Sequence, residues 1–149
     1  MGQQQILLTI FVTFIVGLAT IVAINVFGNI ITESNKDAVR QDLLIAATNA
    51  QQLHERPFSL DGISKNFNNM QNGQLIARIN IPGIQSGEII QNENGSYSIS
   101  GKADRELRIL GITKQGGDEI EIIVCQERST SSWFIDIDSP TAQKPSQCD

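Results

Sequence analysis

The sequence has few of the residues from which most catalytic and metal sites are built. Its 149 residues include one histidine, two cysteines and one tryptophan, and aromatic residues make up 5% of the chain. The two cysteines, Cys125 and Cys148, match no metal-binding or haem-attachment spacing. The histidine, His54, falls at the polar border of a predicted helix end, where we expect a helix cap or a surface residue. We therefore expect no enzyme activity, no catalytic residue, no metal and no cofactor.

Positive charge is also scarce. The chain has 11 basic and 16 acidic residues and a formal net charge of −5. The lysines and arginines are scattered and form no basic stripe, which a nucleic-acid-binding surface requires. We do not expect nucleic acid as the main ligand.

Charge of either sign is missing from residues 1–32. Within them, residues 6–27 are almost continuously aliphatic or phenylalanine, and at helical rise they span roughly 33 Å, the hydrocarbon thickness of a bilayer. A cleaved secretory signal fits poorly, because residues 1–5 contain no basic side chain and no Ala-x-Ala site follows the long apolar run. We predict a membrane-spanning helix that is retained in the working protein.

Beyond residue 32 the sequence stays helical in character but becomes amphipathic. Apolar residues recur at intervals of three and four: Val39, Leu43, Ala46 or Ala47, Ala50 and Leu53. Pro57 supplies the stop, since proline ends a helix at about the preceding residue. The pattern predicts one helix from about residue 4 to residue 56, with local loosening at Gly17 and Gly28 because glycine disfavours helix.

Residues 57–149 read as one β-rich head. Leu75–Ile81 alternates like a strand, two hairpins are expected around Asn94–Gly95 and Gly116–Gly117, and a last strand is expected over residues 133–138. Five or six antiparallel strands would form a sheet with one apolar face, which needs a cover. We expect that cover to be the amphipathic half of the helix, residues 33–56. The predicted fold is α+β.

The two cysteines lie beyond a membrane segment, which suggests an oxidising compartment. A bridge between Cys125 and Cys148 would hold the C-terminal tail against a strand and contribute about 3 kcal/mol to stability. Two separate thiols are the alternative, and the sequence leaves both open.

This succession of parts resembles the type IV pilins and pilin-like proteins. It comprises a short polar leader, a charge-free helix, an amphipathic continuation, an antiparallel sheet and a late pair of cysteines. The resemblance implies a lollipop-shaped α+β protein and cleavage by a prepilin peptidase after Gly2, leaving Gln3 as the new terminus. The family usually has a glutamate at the fifth mature position, whereas this chain would have Leu7 there.

A helix that is apolar all round is stable in lipid or among other such helices. We therefore expect residues 1–32 to serve as membrane anchor and as filament core. The core positions are Ile6, Leu7, Phe11, Phe14, Val16, Leu18, Ile21, Ile24 and Phe27. The leading expectation is a major pilin of an extracellular filament, held in the cytoplasmic membrane before assembly, with further copies of itself and the pilus assembly machinery as partners. The alternatives are a minor pilin or secretion-system pseudopilin, and a membrane-anchored surface domain that binds a partner.

Overall fold

A computed structural model describes residues 2–138 of the chain. It contains two helices, α1 and α2, two 3-10 turns and six strands, β1–β6. In chain order they are α1 Gly2–Glu55, the turns Phe58–Leu60 and Phe67–Asn69, α2 Asn72–Arg78, β1 Ile84–Ser86, β2 Ile89–Gln91, β3 Gly95–Lys102, β4 Glu106–Thr113, β5 Glu119–Gln126 and β6 Trp133–Asp138. The α+β prediction, a long N-terminal helix followed by an antiparallel sheet, is confirmed.

The chain divides into two compact units within α1, Met1–Ser34 and Asn35–Asp149. In the first unit, α1 continues without interruption through Gly17 and Gly28. The predicted loosening concerns helix stability at these two glycines and stays a prediction. We call residues 2–31 the apolar segment. The second unit comprises the predicted β-rich region together with the helix residues that cover its sheet, and from here on this whole unit is called the head.

In the head, the six strands form one sheet in chain order, and every neighbouring pair is antiparallel. Residues 35–55 of α1 cover one face of this sheet. The helix contributes to the core the residues that its periodicity predicted, all buried: Val39, Leu43, Ala46, Ala47, Ala50 and Leu53. The sheet contributes Tyr97, Leu107, Ile109, Ile120, Ile122 and Val124. The prediction that the amphipathic half covers the sheet is confirmed.

Helix and sheet approach closely at Gly111 on β4. A Cβ atom at this position would lie 2.8 Å from Cγ1 of Val39 and 3.3 Å from Cδ1 of Leu43. Glycine therefore provides the space into which these two side chains pack. The close contact explains why a residue of low strand propensity lies in the middle of β4.

The prediction of a strand over Leu75–Ile81 is wrong, because this stretch begins within α2. Leu75, Ile76 and Ile79 are fully buried, at the i, i+1, i+4 spacing of one helix face, while Ala77 is exposed. Over so few residues, the apolar positions are compatible with a short helix as well as with a strand. A residue with positive φ, Asn80 (φ 54°), follows the helix.

Both predicted hairpins are present, and the turn of the first one is shifted by one residue from its predicted position. Gln91 pairs with Ser96, and the Asn92 N–H donates to the Gly95 carbonyl at 3.0 Å. The first turn is therefore centred on Glu93–Asn94, one residue before the expected Asn94–Gly95. Gly95 is required by crowding rather than by turn geometry, since its Cβ would lie 2.2 Å from the Ile112 carbonyl oxygen.

Candidate functional site

The apolar segment presents an uncovered hydrophobic surface. Every residue from 2 to 31 is exposed. The nine predicted core positions are between 51% exposed, at Leu18, and 72% exposed, at Leu7. An exposed apolar surface of this extent marks a site for other proteins or for a membrane.

The threonines on this helix present no free hydroxyl donor. Each donates its hydroxyl to the backbone carbonyl one turn earlier, at 2.8–3.1 Å: Thr9 to Gln5, Thr13 to Thr9, Thr20 to Val16 and Thr32 to Gly28. Polar groups satisfied within their own helix tolerate an apolar environment. The threonines therefore leave the surface compatible with lipid or with a packed helix bundle.

Within residues 2–138, one helix, α1, is long and apolar enough to cross a membrane. Signal sequences and core helices of soluble proteins meet the same criterion. The core helix of a soluble protein is mostly buried, whereas the most apolar 18-residue stretch of α1 has no buried residue. The helix thus has the length and composition of a membrane anchor.

A polar cluster at the helix–sheet boundary of the head was missed by the sequence analysis. It centres on Asp42 of α1, which is 8% exposed. One carboxylate oxygen, Oδ2, accepts hydrogen bonds from Tyr97 Oη at 2.6 Å and from the side-chain amides of Asn92 and Asn94 at 2.9 Å each. Asp42 lies three residues after Val39, on the buried helix face, and this spacing is the signal that could have revealed it.

The charge of Asp42 determines how Tyr97 behaves. Burial, and then the hydrogen bond and the charge of Asp42, raise the pKa of Tyr97 above its ordinary value. The phenol therefore remains protonated and donates its hydrogen to the carboxylate. Asn92 also orders the turn, because its Oδ1 accepts the backbone N–H groups of Asn94 and Gly95 at 2.9 and 3.0 Å.

Asn35 connects the two hairpin loops to the start of the head's helix. Its Nδ2 donates to the Asn94 carbonyl at 2.9 Å, and its Oδ1 accepts the Gln115 N–H at 3.0 Å. The next residue, Lys36, pairs with Asp118 at 3.3 Å. We call Asn35, Asp42, Asn92, Asn94 and Tyr97 the polar clamp. The side chains of the polar clamp hydrogen-bond to one another and to the backbone. They thereby hold the two hairpin loops against the helix.

His54 is not the cap or surface residue that we expected. It is fully buried, with its ring 4.8 Å from Phe67 and edge-on to Trp133 at 5.0 Å between centroids. Its Nε2 lies 3.3 Å from the Asp104 carbonyl oxygen, and burial lowers the pKa of the ring. The buried stripe continues one residue past Leu53 because Phe67 and Trp133 come from later segments that cover it.

The remaining predicted sites are placed as follows. Cys125 lies on β5 and is 1% exposed, whereas Cys148 lies outside the described residues, so the predicted bridge stays a prediction. Gly2 and Gln3 are exposed in the first turn of α1, and cleavage between them also stays a prediction. The described residues contain no group of three or more His, Cys, Asp or Glu positioned to hold a metal ion.

No protein family, curated protein or solved structure matches this chain. The order of its elements, a long N-terminal helix followed by an antiparallel sheet, is the order found in pilins. The exposed apolar segment is therefore the feature of the molecule that points to a function.

Proposed function

We propose that this chain is the major structural subunit of an extracellular type IV-pilus-like filament. It is stored as a single-pass membrane protein and polymerises through residues 6–31. The observation that carries the proposal is the apolar segment, whose large hydrophobic side chains are all exposed within the chain. Copies of the same chain are its main partner, and the membrane and an assembly machinery act before polymerisation.

The free energy of burial favours states in which the apolar segment is covered, either by lipid or by other helices. Burying about 500 Å² of apolar surface against neighbouring helices contributes about 12 kcal/mol relative to water, at about 25 cal/mol per Å². This is comparable with the cost of association, which is about 4–15 kcal/mol. Burial of this size offsets the cost of association, so the apolar segment is more stable in lipid or in the bundle than in water.

The segment also suits a polymer that does not close. Apolar side chains surround the helix, so one copy can contact several others through different faces. Staggered contacts between unlike surfaces generate an open helical filament unless their rotation closes a ring. An ordinary dimer would leave much of this surface uncovered.

The direct test is mechanical shearing of cells that produce the chain, followed by intact-mass spectrometry of the released material. We expect the chain to be abundant there with its apolar helix retained, starting at Met1 or Gln3. A chain found solely in washed membranes would contradict a filament subunit and would favour the anchored surface domain. Low copy number in sheared filaments would favour the minor pilin.

A substitution tests whether the apolar segment carries assembly. We expect Val16→Lys or Leu18→Glu to abolish filaments, because an unpaired charge in a dry helix bundle costs several kcal/mol. Both side chains are more than half exposed within the chain, so the head should fold normally. A charge at the centre of a membrane-spanning helix raises the free energy of membrane insertion by about 2.5–3.5 kcal/mol. The many apolar residues of the segment offset this cost, so each variant should still insert.

The matched control is Ile84→Lys, at an apolar residue of the head that is 81% exposed. This variant should assemble normally if the apolar segment is the polymerising surface. Extraction with detergent but not with carbonate would show that the Val16→Lys chain still inserts in the membrane. Undiminished filaments from Val16→Lys would refute the proposal.

A further inference from the structure

Two asparagines interrupt the apolar segment near its end. Asn25 and Asn29 are both exposed, and four residues apart they lie on one face of α1. Unlike the threonines of the same segment, neither amide has a hydrogen-bond partner within the described residues. Each side chain thus has two N–H donors and a carbonyl acceptor that residues 2–138 leave unsatisfied.

Lipid tails cannot supply partners to Asn25, which lies within the apolar stretch of residues 6–27, and Asn29 lies just beyond its end, where head groups and water compete for the amide. Asn25 lies eight residues before Glu33, the first charged residue, which corresponds to about 12 Å along the helix axis. Ile30 and Ile31 follow Asn29, so apolar residues flank the pair on both sides. Unpaired amides in hydrocarbon are costly, and hydrogen bonds between neighbouring helices remove that cost.

We propose that Asn25 and Asn29 form the polar contact between α1 helices of neighbouring copies of this chain. The inference rests on the proposed function and deepens it, since it names the residues that orient one copy against the next. An amide carries both donor and acceptor, and the two asparagines lie about 6 Å apart along the helix axis, so Asn29 of one copy can bond to Asn25 of a staggered neighbour.

Gly28 gives that second copy room to approach. It lies beside Asn29 and three residues after Asn25, and a Cβ built on it meets nothing within 4 Å. Its Cα surface therefore leaves open space at the level of the amides. Small residues at such a position let helix backbones come close enough for side-chain amides to bond.

The experiment measures self-association of the full-length chain in phosphatidylcholine vesicles by energy transfer between donor-labelled and acceptor-labelled copies. We expect the Asn25→Leu/Asn29→Leu variant to associate more weakly, by about 3- to 30-fold in dissociation constant for each interhelical hydrogen bond lost. Asn25→Gln/Asn29→Gln keeps the amides and should recover part of the affinity.

The matched control is Thr20→Val, which also replaces a polar side chain of the segment with an apolar one. The Thr20 hydroxyl is satisfied by the Val16 carbonyl within its own helix, so this variant should associate like the wild type. If the wild type associates and the double leucine variant associates equally or more tightly, the asparagine contact is overturned while assembly through the helix stands. If the wild type does not associate in the vesicles, the asparagine contact is overturned, whereas the proposed function is decided separately by the shearing experiment.

Discussion

Removing the carboxylate of Asp42 should destabilise the head more than any surface change on the same helix. Its Oδ2 accepts three hydrogen bonds, and the donors come from β3 and from the loop that precedes it. In an Asp42→Ala variant all three donors lose this acceptor at once, although the Asn92 amide keeps a second bond, to the Pro82 carbonyl at 3.0 Å. The helix and the first hairpin would then be joined by apolar contacts and by the Asn35 bonds.

The magnitude follows from the burial of each donor. Tyr97 is fully buried, so its hydroxyl would be left without a partner at a cost of about 1–3 kcal/mol. The amides of Asn92 and Asn94 are partly exposed and can bond to water, so each should lose about 0.5 kcal/mol. We therefore expect Asp42→Ala to lower the free energy of unfolding by about 3 kcal/mol, a large part of the 5–15 kcal/mol typical of a domain.

The assay is urea unfolding of the full-length chain in detergent, followed by fluorescence of Trp133, the single tryptophan, which packs against the core. Asp37→Ala is the matched control, because its exposed ion pair with Arg40 should contribute less than about 1 kcal/mol. Tyr97→Phe should cost about 1.5 kcal/mol and should be non-additive with Asp42→Ala. An Asp42→Ala cost equal to that of Asp37→Ala, or strict additivity with Tyr97→Phe, would refute the reasoning.

Two further predictions concern the head. Burial lowers the pKa of His54 below its ordinary value of 6.5, so the unfolded chain protonates first and the free energy of unfolding should decrease as the pH falls from 7.5 through 6.5 towards 5. His54→Leu should reduce that slope, and an unchanged slope in pH-dependent urea titrations would assign it to other groups. Gly95→Ala should cost about 2–3 kcal/mol because its Cβ would overlap the backbone of Ile112, whereas Gly101→Ala, which meets the flexible side chain of Arg108, should be near neutral by thermal unfolding.

The parts of the fold that the sequence predicts well are those in which one signal extends over many residues. The stripe from Val39 to Leu53 repeats over four turns, and every member is buried. The Gly116–Gly117 hairpin also forms as expected, with φ values of 98° and 69° that glycine adopts without cost. In such cases local preference and tertiary packing agree.

The errors occur where the deciding partner is far away in the sequence. Leu75 to Ile81 is too short for its period to separate strand from helix, and burial of Ile76 decides the matter. His54 becomes a core residue through Phe67 and Trp133, 13 and 79 positions further on. No pattern within one turn of the helix contains that information.

The polar side chains of α1 find their hydrogen-bond partners in different places in the head and in the apolar segment. In the head, Asn35 and Asp42 bond to loops fifty or more positions away, so those groups are complete within one chain. In the apolar segment the threonines are satisfied one turn away, and the amides of Asn25 and Asn29 are not satisfied by any described residue. Because uncovered apolar surface and unpaired amides are both costly, the segment requires something outside its own fold. Lipid tails cover the apolar side chains but bond to no amide, whereas a second copy of the helix can cover those side chains and also bond to the amides.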